Sequence, residues 1–378
     1  MLQLAPAESY GGLERTTADV SSALVAAGGR ALVAAPATAA ALRLRASGAE
    51  LIEMDMSGRS PLRIRSNARA LAEVARREGV DVIHARTREA AAVGERAAAA
   101  IGARFVTTWA KVHADDGFFD RPLTRALGAG RPVIAVSDFL ARHLAEAHGL
   151  GADRVVVIPR GVDMDAFAEE AVGAERVIRL ANAWGLTEDP RPVALVPGRL
   201  HAKAGLETLA RAAAQLRAAR GDDFLCLIVG EGEAKYVAEL EAAIVDAGAA
   251  GVMRIAGPTP DMQAALKMAA MVVSPAAAPR ASARSVVEAM AMGRPVIATA
   301  HGAPADVIRD RENGWLAAPG DEEALAAALG AALDLDESGR AHMGVSGRAQ
   351  VRSRFTLEAM QRAVLEVYAE AAGRAFAA

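Results

Sequence analysis

Several loops of this chain bring cations, glycines and carboxylates to positions where a phosphorylated ligand could be held. In GRLHAKAG, Arg199 and Lys203 follow the apolar run Pro192 to Pro197 and precede a helical pattern. An arginine offers a planar fork of donors and a lysine a mobile point charge, so the pair suits a diphosphate. GEGEAKY places Gly230 and Gly232 around Glu231, which lets a ligand approach the backbone, although a plain strand-to-helix turn explains it equally well. GPTPDM stiffens a loop at Pro258, Thr259 and Pro260 that could present backbone groups to a planar base, with Thr259 or Asp261 capping the next helix. Gly11 and Gly12 precede LERTTADVSSALVAAG, an amphipathic helix whose free N–H groups suit an anion. A tight turn is the competing reading there, because the three-glycine spacing of a dinucleotide site is absent. The fifth loop opens PRASARSVVEAMAMGRPVIAT, Pro279 to Thr299, which reads as loop, helix and buried strand in succession. Its Glu288, near a helix start beside a strand, is placed to accept paired sugar hydroxyls.

The remaining chemistry-bearing residues are few. His84 ends a strand in VIHARTRE and either touches an acceptor or is a satisfied strand-end histidine; His301 in HGAP sits on a ligand-side loop. His143, His148 and His342 fall in helical surface patterns, and no His, Cys or Asp spacing makes a metal site. Cys226 lies inside the apolar run FLCLIV, as a buried structural thiol does; a single cysteine excludes an internal disulfide and suits the cytoplasm.

Composition narrows the function classes. With a net charge of -3 and aromatic residues at 4%, the chain has neither the basic surface nor the stacking platforms of a nucleic-acid binder. The start MLQLAPAESYGG lacks the basic and long apolar segments of a signal peptide and reads as a first strand. No run reaches the roughly 20 apolar residues that span a bilayer. Any membrane contact is therefore expected to be peripheral; the helix carrying Arg63, Arg65, Arg69, Arg76 and Arg77 is either a solvated face or a surface for anionic lipid.

The elements that must position these loops follow from periodicity. Short apolar runs alternate with amphipathic segments, the pattern of parallel strands joined by crossover helices, so the class is α/β. The predicted strands are Leu2 to Pro6, Arg30 to Ala35, Leu51 to Met54, Val80 to His84, Arg104 to Thr108, Pro132 to Val136 and Val155 to Pro159, then Pro192 to Pro197, Phe224 to Val229, Val252 to Ala256, Met271 to Ser274 and Pro295 to Thr299. The 378 residues, 52% hydrophobic, supply two cores. An N-terminal domain is expected over 1–172, a junction over 173–190 where TEDPRP is turn-prone, and a C-terminal domain over 191–355. Residues 356–378 are expected to form a helix packing on either domain. Ligands of such sheets sit beyond the carboxyl ends of the strands, where all five loops lie.

GGLER near the start, VIPRGVD before the junction, PGRL after it, and VVEAMAMGRPVIAT followed by HGAP together resemble the family 4 glycosyltransferases of GT-B type, in order, from Leu2 to about Tyr368. The resemblance implies two facing Rossmann-like doubly wound domains with an interdomain cleft, a nucleotide-sugar donor held mainly by the C-terminal domain, no metal and no cofactor, and retaining glycosyl transfer. It implies that Glu288 binds the donor ribose, that Arg199 faces the diphosphate, that Gly12 lies beside the phosphates, and that the backbone of Ser285 and Val286 lies near the distal phosphate. Gly230, Glu231 and Thr259 complete the expected donor site.

Three positions depart from the family pattern. The first glutamate of the glutamate pair, eight positions before Glu288, is here Arg280, which could pair with a carboxylated sugar or with the phosphates. The family lysine aligns with Ala204, one residue after Lys203, and the N-terminal histidine with Ala110, three residues before His113. Lys203 and His113 are accordingly the expected substitutes. The first function carried forward is a cytoplasmic enzyme, peripheral at the inner face of the membrane, that moves a hexose or related sugar from a nucleotide diphosphate to a glycan or lipid-linked acceptor of the cell-envelope polysaccharide or lipopolysaccharide type. The second is a catalytically degenerate nucleotide-binding or scaffold protein that partners an active enzyme. A sugar-nucleotide epimerase is a third class, disfavoured by the lack of carboxylates for proton transfer.

Overall fold

A computed structural model describes residues 1–5, 12–36, 40–113 and 117–373. The chain forms two compact units, one of residues 1–161 with 357–378 and one of 162–356. In the first, strands β1 (Leu2–Leu4), β2 (Leu32–Ala35), β3 (Glu50–Glu53), β4 (Val82–Ala85), β5 (Arg104–Trp109), β6 (Val133–Ala135) and β7 (Val155–Val157) form a sheet in the order β3-β2-β1-β4-β5-β6-β7. In the second, β8 (Val193–Pro197), β9 (Leu225–Val229), β10 (Met253–Gly257), β11 (Met271–Ser274), β12 (Val296–Thr299) and β13 (Gly314–Ala317) take the order β10-β9-β8-β11-β12-β13. Every pairing between these strands is parallel. Both orders begin from the first strand of the unit, run outward twice, and then return to its other side. Each unit thus has a point where the connections reverse direction, between β1 and β4 and between β8 and β11, the kind of place beside which ligands of such sheets bind.

The apolar runs are continuous because helices cover both faces of the second sheet. Leu195, Leu227 and Val272 belong to one buried cluster, while their neighbours Ala194, Val196, Cys226, Ile228 and Val273 belong to the other, as the two-residue period requires. Cys226 is buried in the second cluster, and desolvation pushes its thiol up to about 12, far from a reactive thiolate. Helix entries follow local chemistry. Thr87 and Ser137 cap the helices Arg88–Ile101 and Asp138–His148 by accepting from Ala90 and Leu140 N–H groups, and Gly102 and Gly149 end them.

Two features, the domain boundary and a thirteenth strand, differ from the sequence expectation, and the open placement of the C-terminal helix is resolved. The boundary falls after Gly161 rather than in 173–190, because Val162, Phe167, Val172, Trp184 and Leu186 are buried in the core of the second unit. The helix Leu357–Ala372 belongs to the first unit, where Met360, Val364, Val367 and Tyr368 join its core. Strand β13 was not anticipated; GWLA is short, and its glycine contributes no side chain to an apolar run. The loop with Gly11, and Pro6 at the end of the first predicted strand, lie outside the described residues. Among the described residues no helix is long and apolar enough to cross a membrane.

Phe167 tests the boundary. At 2% exposure its truncation to alanine is expected to lower the stability of the second unit by about 3–5 kcal/mol. Chemical denaturation checks it, and a loss below about 1 kcal/mol would mean that the segment is only loosely laid on the core.

Candidate functional site

Four loops at the carboxyl edge of the second sheet are locked together through their backbones. Past β8, Gly198 N–H donates to Val229 O at 3.0 Å and Leu200 N–H to Glu231 O at 2.9 Å, and Leu200 pairs with Gly232 as a further parallel bridge. A Cβ on Gly230 would lie 1.7 Å from Gly198 O, so only glycine fits. Gly205, at φ +74°, approaches the loop after β11 so closely that a Cβ would lie 1.8 Å from Pro275 O. Ala277 N–H donates to Lys203 O at 3.1 Å, and both Thr299 Oγ1 (2.8 Å) and His301 Nε2 (2.7 Å) lie at hydrogen-bond distance from Ala276 O. Gly302 completes the contact, since a Cβ there would press on the Arg280 backbone at 2.5 Å.

These contacts gather Arg199, Lys203 and Arg280 around His201. All three cations hold the His201 imidazole below its ordinary range, after desolvation as the largest cause. His201 Nδ1 accepts from Lys203 N–H at 3.2 Å, so its lone pair is committed to the turn and the neutral ring presents Nε2–H. The Arg280 guanidinium reaches over β8, with one nitrogen 3.7 Å from where a Gly198 Cβ would be. Burial pushes Arg280 down from the usual arginine value. Among the described residues none of the three cations has an ion-pair partner within the chain. Beside them a cavity of about 590 Å³ is lined by Arg199, His201, Glu231, Glu233 and Tyr236 among others. The Tyr236 hydroxyl donates to Glu207 Oε1 at 2.8 Å.

The lysine offset has a structural explanation. Residues 202–204 form one 3-10 turn, in which Lys203 is exposed while Ala204, 3% exposed, points into the core beside Leu206 and Leu209. Position 203, not 204, is the one that faces solvent with the other cations.

Glu288 sits in the second turn of the helix Arg284–Ala291, where Arg284 Nε donates to its Oε1 at 2.9 Å. Its side chain is 14% exposed, so one edge of the carboxylate is held by its own helix. Ser285 is half-buried at the start of that helix, and the Val286 side chain is fully buried, which leaves only its backbone for a ligand. Thr259 Oγ1 accepts from Asp261 N–H at 3.1 Å, and Asp261, not Thr259, caps the following helix at Ala264 N–H. Arg176 grips the Asp261 carboxylate in a fork at 2.8 and 2.6 Å.

In the first unit, Gly12 opens the helix Gly12–Ala26, its carbonyl accepting from Thr16 Oγ1 at 2.8 Å. His84 is fully buried, with Nδ1 2.6 Å from the Tyr368 hydroxyl and Nε2 2.8 Å from Thr108 Oγ1. It is the satisfied strand-end histidine. Arg86, just past β4, was not singled out by sequence; it is 3% exposed, and its Nε and Nη1 have no partner among the described residues. His113 rests edge-on against Trp109, ring centroids 5.6 Å apart. Burial, with Arg88, Lys111 and His148 adding to it, lowers His113 to about 4, so it is neutral at pH 7 and its surroundings resist its protonation. His143 and His148 are not open surface residues: His148 packs 4.9 Å from Trp109 and 5.6 Å from His143, which stacks on Phe139. Among the described residues no cluster of His, Cys, Asp and Glu could hold a metal.

Known proteins resemble this chain in sequence and in fold. The sequence profile described as Glycosyltransferase Family 4 matches residues 10–166, and that of Glycosyl transferases group 1 matches 191–334. The D-inositol 3-phosphate glycosyltransferase of Acidothermus cellulolyticus is 30% identical over 322 residues, covering 79% of this chain and 69% of the relative. The chain belongs to glycosyltransferase family 4. A second D-inositol 3-phosphate glycosyltransferase, from Xylanimonas cellulosilytica, is 32% identical, covering 68% of this family 4 chain but 63% of the relative. A glycosyltransferase from Rickettsia africae superimposes with a TM-score of 0.88 at 27% identity, covering 98% of this chain and 97% of the other. Anabaena HepE, solved in complex with UDP-glucose, has a TM-score of 0.83 at 22% identity, covering 98% and 99% of the two chains.

The two profiles leave between them most of the stretch that crosses into the second unit, while both units of the family 4 fold carry loops named above. Sequence reasoning missed Gly205, Gly302 and His201 as parts of the site. A glycine before a helix, and a histidine two residues before a lysine, signalled them only weakly.

His113 predicts a pH dependence. Its folded value lies below the ordinary 6.5, so the unfolded chain takes up the proton first and folding stability falls as pH drops from 6.5 towards 4. Urea midpoints at pH 7 and pH 5 are expected to differ less in His113→Asn than in the unchanged chain, while buried His84 keeps part of the slope in both. An identical drop in the two proteins would remove His113 from this role.

Proposed function

We propose that this chain is a retaining glycosyltransferase that moves a hexose or related sugar from a nucleotide-diphosphate donor to a glycan or lipid-linked acceptor of the cell envelope. The observation that carries the reading is the group formed by Arg199 and Lys203 past β8, at the reversal point between β8 and β11, neither with an ion-pair partner among the described residues. A diphosphate is the anion whose charge and reach match such a group. Arg199 and Lys203 would stabilise the diphosphate as it leaves, which is where negative charge develops during transfer. Glu288, oriented by Arg284, would accept the ribose hydroxyls. The backbone of Ser285 and Val286 would approach the distal phosphate, with Gly230, Glu231 and Thr259 towards the base. Gly12 and His113 are the first unit's candidate residues, Gly12 at a helix start suited to a phosphate and His113 standing for the family's N-terminal histidine. No cofactor or metal takes part in this scheme.

Support for sugar transfer comes also from relatives named as D-inositol 3-phosphate glycosyltransferases and from a fold neighbour solved in complex with UDP-glucose. Cytoplasmic placement, peripheral to the membrane, accords with a buried free cysteine and with a lipid-linked acceptor. A second reading has its own observation: Ala204 is buried where the family has its lysine, and the catalytic glutamate position holds a cation. On that reading the chain binds nucleotide and supports an active partner.

Arg199→Ala is expected to lower transfer about a hundredfold or more, the usual loss when one preorganised charge partner of the transition state is removed. A nucleotide-sugar panel read by product formation checks it, and an unchanged rate sinks the assignment. Glu288→Ala should weaken nucleoside diphosphate binding about tenfold in calorimetry. Nucleotide binding without transfer or donor hydrolysis, in the unchanged chain, would favour the second reading.

A further inference from the structure

Arg280 is a cation that a diphosphate does not need. The diphosphate of a nucleotide sugar carries one negative charge per phosphate, and Arg199 and Lys203 already supply one cation for each. Arg280 differs from those two in being largely enclosed, whereas Arg199 and Lys203 are exposed. Its backbone is fixed, since Ala303 N–H donates to its carbonyl at 2.8 Å and Gly302 presses against it from the exit of β12. Its guanidinium is thereby aimed back over Gly198.

Among the described residues no carboxylate pairs with that guanidinium. Burial lowers its proton affinity, and among the described residues no ion pair offsets that. Glu288, on the next helix, is bonded by Arg284, and Glu231 and Glu233 line the cavity on the β9 side with Arg199. An enclosed cation without a counter-charge costs free energy that an anion supplied by a ligand would recover.

The order of strands indicates which part of the ligand that anion belongs to. Thr259 follows β10, Arg199 follows β8, and the Arg280 loop follows β11 and is anchored beyond β12, along an edge ordered β10-β9-β8-β11-β12. With the base towards Thr259 and the diphosphate at Arg199, the sugar follows on the β11 side, and the Arg280 guanidinium, reaching back to Gly198, stands where diphosphate and sugar adjoin.

We infer that Arg280 selects a donor whose sugar carries a carboxylate, a nucleotide-diphosphate uronate, by pairing its guanidinium fork with that carboxylate. This rests on the donor site proposed above. The pairing discriminates by charge: a neutral hexose leaves the guanidinium enclosed and unpaired, so rejection of the wrong donor is built into the same residue that accepts the right one.

The test is calorimetric titration of the full chain with uridine, guanosine, adenosine and thymidine diphosphates, each free, as the neutral hexose conjugate and as the matching uronate. With the nucleotide that binds, the uronate is expected to bind about tenfold or more tightly than the neutral sugar. Arg280→Gln should bring that ratio to about one while retaining affinity for the free diphosphate, which also shows that the variant is folded. Arg280→Glu should invert the preference. Equal affinities in the unchanged chain overturn the inference, as does a uronate preference that survives in Arg280→Gln. Equal weakening of the free diphosphate and of both conjugates in Arg280→Gln also overturns it, because Arg280 is then a phosphate ligand. Binding of a free diphosphate that is lost in Arg199→Ala leaves the donor site standing whatever the sugar ratio. If no diphosphate binds, the donor site falls and the inference with it.

Discussion

Backbone pressed against backbone at the carboxyl edge of the second sheet is the constraint on which the rest of the candidate site depends. Gly230 lies on the Gly198 carbonyl, Gly205 on the Pro275 carbonyl and Gly302 on the Arg280 backbone, each too close for any side chain. These contacts turn four separate loops into one surface. They also decide where charge can stand: Arg280 is held over Gly198 because Gly302 permits it, and Lys203 faces outward because the Gly205 turn directs Ala204 inward. A glycine side chain added at one of these places would displace the backbone of a neighbouring loop, and with it a cation borne by another part of the sequence.

The fold was legible in the sequence where burial acts on both faces of a strand. Runs such as FLCLIV are apolar at every position because alternate residues enter opposite cores, and that leaves an unmistakable pattern. GWLA escaped because Gly314 packs by its backbone against Val296, a contact with no hydrophobic signature. The domain boundary escaped for the opposite reason: Phe167, Trp184 and Leu186 are scattered apolar residues in a polar, turn-rich stretch, and only their common burial shows that they belong to one core. In the site, residue types were readable and register was not. Whether position 203 or 204 faces the cations depends on a single 3-10 turn, and whether Arg280 meets a carboxylate depends on which way a loop between two strands is tied.

The two units repeat one strand order but treat their polar groups differently. At the reversal point of the second unit, Arg199 and Lys203 stand open and Arg280 is largely enclosed, none with an ion-pair partner among the described residues. Beside the corresponding point of the first, His84 is enclosed with Tyr368 and Thr108, and the hydroxyl of Tyr368 also lies 3.5 Å from Gln3 Oε1. Gln3 in turn donates to Ser21 Oγ at 2.7 Å. This connected group spans β1, β4, β5 and two helices, so it fixes the relative placement of elements that carry Gly12 and His113. Arg86, buried next to it, is also within reach of the Tyr368 hydroxyl.

Tyr368 lies on Leu357–Ala372, which follows the whole second unit in the chain yet completes the first. The second unit is therefore contiguous in sequence, whereas the first is assembled from two pieces separated by 195 residues, Val162–Thr356. During synthesis the ribosome delivers every strand of the first sheet early, but the helix that closes over β4 and β5 emerges only after the second unit has been made. Until then His84 lacks its phenol partner and the apolar residues meant for Val364 and Val367 are uncovered. The order of translation thus leaves the earlier half waiting on the later one, and the interval in between is when this chain has the greatest exposed apolar surface to protect.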